Sequence, residues 1–305
     1  MKPGVAASGV KIPLSRLQPD AIIQIPGSPD WIAIGDDVWI SNKPKNNVTR
    51  IDSKTAEIKQ VIGNLNKPCS GLAIGFGSLW VPNCGDQTIA RIDLKTGTIS
   101  GSVHTGIADS EGGITVGSGS VWVMSDGHST LSRIDPATDT VQAKITLPEG
   151  CYTPAYDFGA VWVSCTKQNS VVRVSPKTNS IVATIRTGPQ PRFLTTGDGA
   201  IWTLNQGDGS ITRISPANDT VVATIQVGIP GEGGDISAGE GSIWATSFGF
   251  PVSRIDPKTN TVVQQFVGTG GDAIRAGGGH VWLSNYMFHS AWKIDPSKIS
   301  SIGAN

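Results

Sequence analysis

An excess of charge of either sign is missing from this chain of 305 residues. Lysine and arginine together number 24, aspartate and glutamate together also number 24, and charged residues make up only 16% of the sequence. A neutral chain without a basic run gives no electrostatic footprint for nucleic acid or for an anionic membrane surface. We therefore expect no nucleic-acid partner.

Long apolar runs are missing too. No stretch approaches the roughly 18 apolar residues that a transmembrane helix needs, so we expect no membrane insertion. The first residues, MKPGVAASGVKIP, lack the apolar centre of a signal peptide. We expect either a cytosolic protein or an exported one whose signal peptide is not part of this sequence.

Familiar catalytic motifs are absent as well. The sequence contains no Gly-rich phosphate loop, no nucleophile elbow and no Ser-His-Asp order. Glycine pairs such as Gly75 and Gly77 are not followed by a helical pattern, so we interpret them as hairpin turns rather than nucleotide fingerprints.

What the chain does contain is a tryptophan that returns seven times, with successive gaps of 41, 42, 40, 40, 42 and 38 residues. Each lies in a short strand-like run, such as GSLWVPN around Trp80, and an RID-type phrase follows it, as at Arg91. A repeat of about 40 residues made of short β-runs predicts a β-propeller with one blade per repeat. The seven positions are Trp39, Trp80, Trp122, Trp162, Trp202, Trp244 and Trp282.

The repeat predicts an all-β protein, a seven-bladed β-propeller with four antiparallel strands per blade. We expect residues 1–13 to be a flexible N-terminal segment and residues 14–305 to form a single propeller domain, a monomer.

The segment PDAIIQI near the start matches NDTVVATI at 218–225, which ends a blade. We therefore predict that Ala21 to Ile25 supply the outer strand of the last blade and leave no free sheet edge. The recurring Trp, Arg and Asp residues are interpreted as framework, because a functional site needs only one copy.

The pattern VWV-x-N followed by T-V-x-R-I-D-P-x-T-x-x-V resembles that of YVTN-type bacterial propellers, close to the virginiamycin B lyase-like and NHL groups. The resemblance covers about Leu14 to Ile302 and implies the fold, while the group includes ligand-binding proteins, cell-surface proteins and a few lyases. Streptogramin lyases use a His-Glu-His cluster with magnesium, in which a histidine follows a proline at the start of an innermost strand. No innermost strand here starts with Pro-His. That mechanism is therefore not carried over, and no cofactor is predicted.

The four cysteines obey the repeat. Cys69 and Cys151 each lie eleven residues before a blade tryptophan, while Cys84 and Cys165 follow that tryptophan by four and three residues. Each pair would join two loops on one face of the same blade, which favours two disulfides over four free thiols or a zinc site. Each would close a loop of about 15 residues, worth on the order of 3 kcal/mol. Disulfides favour an oxidising compartment, so we expect a periplasmic or secreted protein.

Function is expected where single blades depart from the repeat on one face of the ring. We call it the loop face: it consists of the loops that precede the innermost strands and the loops between second and third strands. Candidate ligand-binding residues there are Trp31, Glu111, His128, Tyr152, Arg192, Phe193, Glu232, Asp235, Phe248, Asp272, Arg275, Tyr286 and His289. Further departures are Lys43, Asp86, Asp126, Lys167, Gln206, Phe250 and Phe288. The aromatic members suggest a pocket with apolar walls and a few polar groups.

Arg275 is the sharpest departure, because five other blades have a small residue at that position of the innermost strand. A guanidinium there must be paired or face the water-filled channel. It is either an anion-binding residue or part of an internal ion pair with Asp272 or Asp235.

Three functions stay open. The first is an exported propeller that binds a small organic ligand, anionic or partly aromatic, on the loop face. The second is a lyase or hydrolase in which His289, Tyr286 and Glu111 are the candidate catalytic residues. The third is a protein-interaction scaffold, for which Phe248, Phe250 and Phe288 would form an exposed patch. A divalent metal is a lesser option and would need His128 and His289 to reach the axis, with Glu111, Glu232 or Asp272 completing the site.

Overall fold

The computed structural model describes residues 2–43, 46–69, 71–108 and 111–303. Most of these residues form short strands, and the first two along the chain are β1 (Lys11–Pro13) and β2 (Ala21–Gln24). Blades 1 and 2 follow, each ordered from its innermost to its outermost strand. They comprise β3 (Ser28–Ile34), β4 (Asp37–Lys43), β5 (Asn47–Asp52), β6 (Ile58–Ile62), β7 (Ala73–Gly75), β8 (Ser78–Asn83), β9 (Thr88–Asp93) and β10 (Ile99–His104).

The next five blades repeat this order. Blades 3 and 4 comprise β11 (Ile114–Gly117), β12 (Ser120–Ser125), β13 (Thr130–Asp135), β14 (Thr140–Thr146), β15 (Cys151–Asp157), β16 (Ala160–Cys165), β17 (Ser170–Ser175) and β18 (Ser180–Arg186). Blades 5 and 6 comprise β19 (Pro191–Gly197), β20 (Ala200–Asn205), β21 (Ser210–Ser215), β22 (Thr220–Gln226), β23 (Asp235–Gly239), β24 (Ser242–Ser247), β25 (Phe250–Asp256) and β26 (Thr261–Val267). Blade 7 contains β27 (Ile274–Gly277), β28 (His280–Asn285) and β29 (Ser290–Ile294). The chain is therefore a seven-bladed propeller, as the tryptophan period predicts.

The ring closes as predicted. Strand β2 pairs antiparallel with β29, with Ala21 opposite Lys293 and Gln24 opposite Ser290. It thus supplies the outermost strand of blade 7. One short α-helix, α1 (Pro296–Ser301), follows this blade, and 3-10 turns occupy Leu14–Arg16, Thr166–Gln168 and Tyr286–Phe288. No helix in the described part of the chain is long and apolar enough to cross a membrane.

The N-terminal segment lies against blade 6 over part of its length. Strand β1 pairs in parallel with β26 and gives blade 6 a fifth strand. Ile12 is buried in this contact, and the Val5 amide donates to Oε1 of Gln265 over 2.8 Å. The Gln265 side chain is fully buried, and through this hydrogen bond its amide oxygen holds the N-terminal segment against blade 6. Part of the segment 1–13 therefore packs on the propeller.

The repeated residues form a repeated contact. Each blade tryptophan is buried, and the Arg or Lys of the RID-type phrase lies over its ring at 4.8 to 5.9 Å from the centroid. Several of these arginines also reach the turn of the following blade: Arg213 donates to the Pro257 carbonyl and to Oδ1 of Asn260 at 2.7 and 2.9 Å. This stacking and hydrogen bonding explain why the tryptophan and the Arg or Lys recur at a similar spacing in each blade. They support the interpretation of these repeated residues as structural framework.

Candidate functional site

Two disulfides bridge the loop face. Cys69 bonds to Cys84, with Cα atoms 5.3 Å apart, and Cys151 bonds to Cys165, with Cα atoms 3.8 Å apart. Each ties the segment leading into an innermost strand to the end of the second strand of the same blade, as the sequence predicts. The loops of blades 2 and 4 are thereby fixed covalently beside the central axis.

A cavity of about 650 Å³ opens on the loop face. Eight of the predicted ligand-binding residues line it, and they come from five blades: Glu111, Tyr152, Arg192, Phe193, Glu232, Phe248, Asp272 and Tyr286. Lys43, Lys167 and Gln206 line it as well. Sequence comparison between blades missed Asp30, Thr166 and Gln190, which also face the cavity. Asp30 directly precedes Trp31 in the run SPDW. The tryptophan is the clearer departure from the blade repeat there, so the repeat does not single out the aspartate.

Two aromatic side chains meet across the axis of the ring beside the cavity. Trp31 belongs to blade 1 and Phe193 to blade 5, yet their ring centroids are only 6.1 Å apart. The two blades are not neighbours, so the contact crosses the middle of the ring. Both side chains are buried, and the Trp31 ring also lies against Gly112, where an added Cβ would come within 2.4 Å of it. We define Trp31 and Phe193 as the plug, because the two rings span the channel next to the cavity that Phe193 lines.

Arg275 does not line this cavity and forms an internal ion pair. Its guanidinium pairs with Oδ2 of Asp235, which is buried, and stacks on the Trp31 ring at 4.3 Å from the centroid. Asp235 also accepts hydrogen bonds from the amides of Ile236 and Ile274, at 2.8 and 3.1 Å. Burial raises the pKa of Asp235 to about 6, and the Arg275 guanidinium opposes that rise. Of the two interpretations of Arg275, the internal pair with Asp235 is the one observed.

Asp272 is a carboxyl group of the pocket whose pKa is strongly shifted. Burial, with the negative charges of Asp30, Glu111 and Asp235, raises the pKa of Asp272 to about 9, while Lys43 opposes the shift. Asp272 makes no hydrogen bond or ion pair with any residue in the described part of the chain. It is therefore a nearly buried acid that faces the cavity and carries a proton at neutral pH.

Lys43 pairs with two other carboxylates that line the cavity. Its Nζ lies 3.3 Å from Oδ2 of Asp30 and 4.0 Å from Oε1 of Glu111. Asp30 is buried, whereas Lys43 and Glu111 are partly exposed. The lysine therefore links blade 1 to the loop that precedes the innermost strand of blade 3.

The wall between blades 4 and 5 is a stack of planar groups. The Arg192 guanidinium lies over the Tyr152 ring at 3.8 Å and near the Phe193 ring at 5.4 Å. On the other side, His128 packs against Tyr152 with ring centroids 4.2 Å apart. His128 does not line the cavity, so its contribution is to support Tyr152. This stack presents a flat, partly cationic surface to the pocket.

Some predicted residues lie elsewhere. His289 has a left-handed backbone (φ 51°), is exposed, and directs Nδ1 at the carbonyl of Gly27 (2.9 Å) and Oγ of Ser28 (3.3 Å), away from the cavity. Phe250 is buried beneath the N-terminal segment, where it contacts Gly4. Phe288 is exposed and does not line the cavity.

Metal ligands do not converge on this face. Within the described residues, no group of three or more His, Cys, Asp or Glu side chains could hold a metal ion. His128 and His289 belong to blades 3 and 7, and neither reaches the cavity. The geometry needed for the metal option in the sequence, two histidines at the axis, is therefore not found in these residues.

Fold and pocket together define a seven-bladed β-propeller with an aromatic plug across its channel and a polar cavity on one face. Comparison with known structures finds a streptogramin B lyase (TM-score 0.76, 20% identity, 90% of this chain and 96% of that chain covered). It also finds virginiamycin B lyase from Staphylococcus aureus (0.74, 20%, 90% and 97%) and Kuenenia stuttgartiensis hydrazine synthase (0.72, 15%, 95% and 98%). No family model and no curated protein sequence matches the chain. The chain is therefore a virginiamycin B lyase-like propeller in its fold, and this likeness says nothing further about activity.

Proposed function

We propose that this propeller binds a small organic ligand in the loop-face pocket. The observation that carries the proposal is the cavity itself, which side chains from six blades line beside the plug. Its volume of about 650 Å³ is that of ordinary small-molecule sites, roughly 300–1,000 Å³. Four aromatic and seven charged side chains line it, so it is more polar than most such sites and offers a ligand polar contacts as well as ring faces.

Rigid blades favour binding without large rearrangement. The lining residues sit at the ends of strands whose sheets are packed through the tryptophan rows, and a disulfide holds the blade that carries Tyr152. A preorganised site loses little conformational entropy when a ligand enters. The ligand need not be an anion, since Arg275, the main reason to expect one, is occupied by Asp235.

A screen by thermal shift against amines, carboxylates, sugars, lactones and aromatic acids tests the proposal. A ligand at 100 times its Kd adds about 2.7 kcal/mol to the stability of the native state, which raises Tm visibly. Phe248→Ala should weaken binding of a hit at least fivefold, because the ring lines the cavity. Phe288→Ala is the matched control, an exposed phenylalanine on the next blade that lies outside the cavity. Equal losses in both variants, or no hit at all, would overturn the proposal.

We further propose that the protein works in an oxidising compartment, the periplasm or the cell exterior. The two disulfides support this location, because such bonds are rare in reducing cytoplasm. Trapping with a thiol-alkylating reagent in intact cells, followed by mass spectrometry, gives the test. Alkylation of Cys69, Cys84, Cys151 and Cys165 without prior reduction would contradict the location.

A lyase or hydrolase at the same pocket is the second candidate, and Asp272 is the observation that favours it. A carboxyl group that stays protonated at neutral pH can act as a general acid. His289 no longer supports this function, because its ring faces Gly27 rather than the cavity. Turnover of a bound compound that is lost in Asp272→Asn, while Tm is unchanged or higher, would establish it. Binding without turnover leaves the ligand-binding function alone.

A further inference from the structure

One quarter of the pocket combines acids with aromatic rings. Glu232 and Phe248 come from blade 6, and Asp272 and Tyr286 come from blade 7; all four line the cavity. In each blade, the acid lies in the loop before the innermost strand and the aromatic residue follows the second strand. Neighbouring blades therefore present the same pair of groups side by side. We call these four residues the acid–aromatic quarter.

Three basic side chains in or beside the site are already paired with carboxylates inside the protein, and a fourth, Arg192, stacks on Tyr152 and Phe193. Lys43 is paired with Asp30 and Glu111, Lys167 is paired with Glu149, and Arg275 is paired with Asp235. Within the described residues, neither Asp272 nor Glu232 makes a hydrogen bond or an ion pair. The pocket thus offers two carboxyl groups to an incoming molecule.

We propose that the acid–aromatic quarter binds the ammonium group of an organic cation. The inference rests on the proposed ligand-binding function and names the chemical class of the ligand. An ammonium group beside Asp272 would stabilise its ionised form, and the faces of the Phe248 and Tyr286 rings would attract the same cation. An anion at the same place would lie beside the Glu232 carboxylate and would meet no cation among the four residues of the acid–aromatic quarter, so an ammonium group is favoured there.

The environment of Asp272 supports the proposal independently of the aromatic rings. Its carboxyl group faces Asp30 from β3, Glu111 from the loop before β11, Asp235 from β23 and Lys43 from β4. Burial among these groups holds the pKa of Asp272 far above its ordinary value. A bound cation would lower that pKa, so binding at neutral pH should release a proton into the solvent.

Calorimetric titration with matched probes tests the inference. Choline is compared with its neutral carbon isostere 3,3-dimethylbutan-1-ol, benzylamine with benzyl alcohol, and benzoate serves as the anionic probe. We expect at least one ammonium probe to bind tenfold or more tightly than its neutral partner at pH 7.5. Its binding enthalpy should vary with the ionisation enthalpy of the buffer, as proton release requires.

Single substitutions distinguish binding by the acid–aromatic quarter from an effect of the overall charge of the protein on affinity. Asp272→Asn, an isosteric change, should weaken the ammonium probe at least tenfold, and Phe248→Ala at least fivefold. Glu57→Gln removes the same charge from an exposed turn of blade 1 and should leave the affinity within twofold. A circular-dichroism melt of each variant establishes that it folds.

The outcomes are distinct. Equal affinity for ammonium and neutral probes, or loss of affinity in Glu57→Gln equal to that in Asp272→Asn, overturns the inference. Binding of benzoate or benzyl alcohol that depends on Phe248, without binding of either amine, overturns it as well but leaves the proposed function standing. Absence of binding by any probe here and in the wider screen overturns both.

Discussion

Trp31 and Phe193 meet across the axis of the propeller, with ring centroids 6.1 Å apart, although their blades are not adjacent. The contact spans the channel next to the cavity that Phe193 lines. Because Arg275 stacks on Trp31 and pairs with Asp235, one assembly of side chains joins blades 1, 5, 6 and 7. Pocket shape and stability of the ring centre are therefore coupled.

Removal of the plug should cost much stability. Trp31→Ala deletes a buried indole, and large-to-small changes of this kind cost about 3–5 kcal/mol. The Arg275 guanidinium would also lose its stacking partner. Urea unfolding gives the difference, and Phe288→Ala, an exposed side chain, should change the free energy of unfolding by less than about 0.5 kcal/mol. A loss for Trp31→Ala as small as that of the control would mean that the plug is not packed as described.

The ion pair below the plug should be costly to break on one side. Asp235→Asn leaves the partly buried guanidinium of Arg275 without its carboxylate, and such changes cost about 3–5 kcal/mol. The double variant Asp235→Asn with Arg275→Gln removes both charges and should recover part of the loss. Asp126→Asn breaks an exposed ion pair with Lys144 and should cost no more than about 1 kcal/mol. Simple additivity of the two single changes, measured by urea unfolding, would contradict a coupled pair.

The disulfide in blade 4 should stabilise the wall that carries Tyr152. Cys151 and Cys165 are separated by 14 residues, so replacing both with serine should cost on the order of 3 kcal/mol in the chain-entropy model. Thermal melts of the double variant and of the wild-type protein give the comparison, and the Cys69–Cys84 pair in blade 2 provides a matched second case. Reaction of the untreated protein with a thiol reagent would contradict both bonds.

His289 should be dispensable for the pocket. Its ring faces Gly27 and Ser28 at the junction of blades 1 and 7, so His289→Ala should leave the affinity of any pocket ligand within twofold. The same titration on Tyr286→Ala, three residues earlier in the same loop and lining the cavity, should show a clear loss. A large loss in His289→Ala alone would mean that this histidine turns into the cavity when a ligand binds.

The fold could be predicted because its determinants are local and repeated. The tryptophan spacing sets seven blades, and the positions of Cys151 and Cys165 relative to Trp162 give the disulfide, since the strand register brings them directly opposite each other. The match of PDAIIQI to the end of a blade gives the closing strand β2 for the same reason. Each of these inferences needs only one blade and its neighbour.

The site could be predicted only in part, because contacts across the axis depend on side-chain direction. The departures from the repeat gave most of the cavity lining, but not that Trp31 would reach Phe193 on blade 5. The left-handed backbone at His289 turns its ring outward, and the N-terminal segment covers Phe250. None of this is visible in the spacing of the repeat.

Asp272 should make stability fall as the pH rises. Its pKa is raised to about 9 in the folded protein and returns to its ordinary value, roughly 3.9, on unfolding, so the native state holds the proton more tightly between these pH values. The stabilising contribution of this proton is complete below about pH 4 and is lost progressively as pH rises towards 9.

Asp272→Asn removes the titration and should be more stable than wild type by about 1–3 kcal/mol at pH 8, with a smaller difference at pH 5. Urea unfolding of both proteins at pH 5, 6.5 and 8 gives the comparison. A difference that stays constant over this range would show that Asp272 is ionised in the native protein. A difference that decreases as the pH rises would mean that folding lowers the pKa of Asp272 instead of raising it.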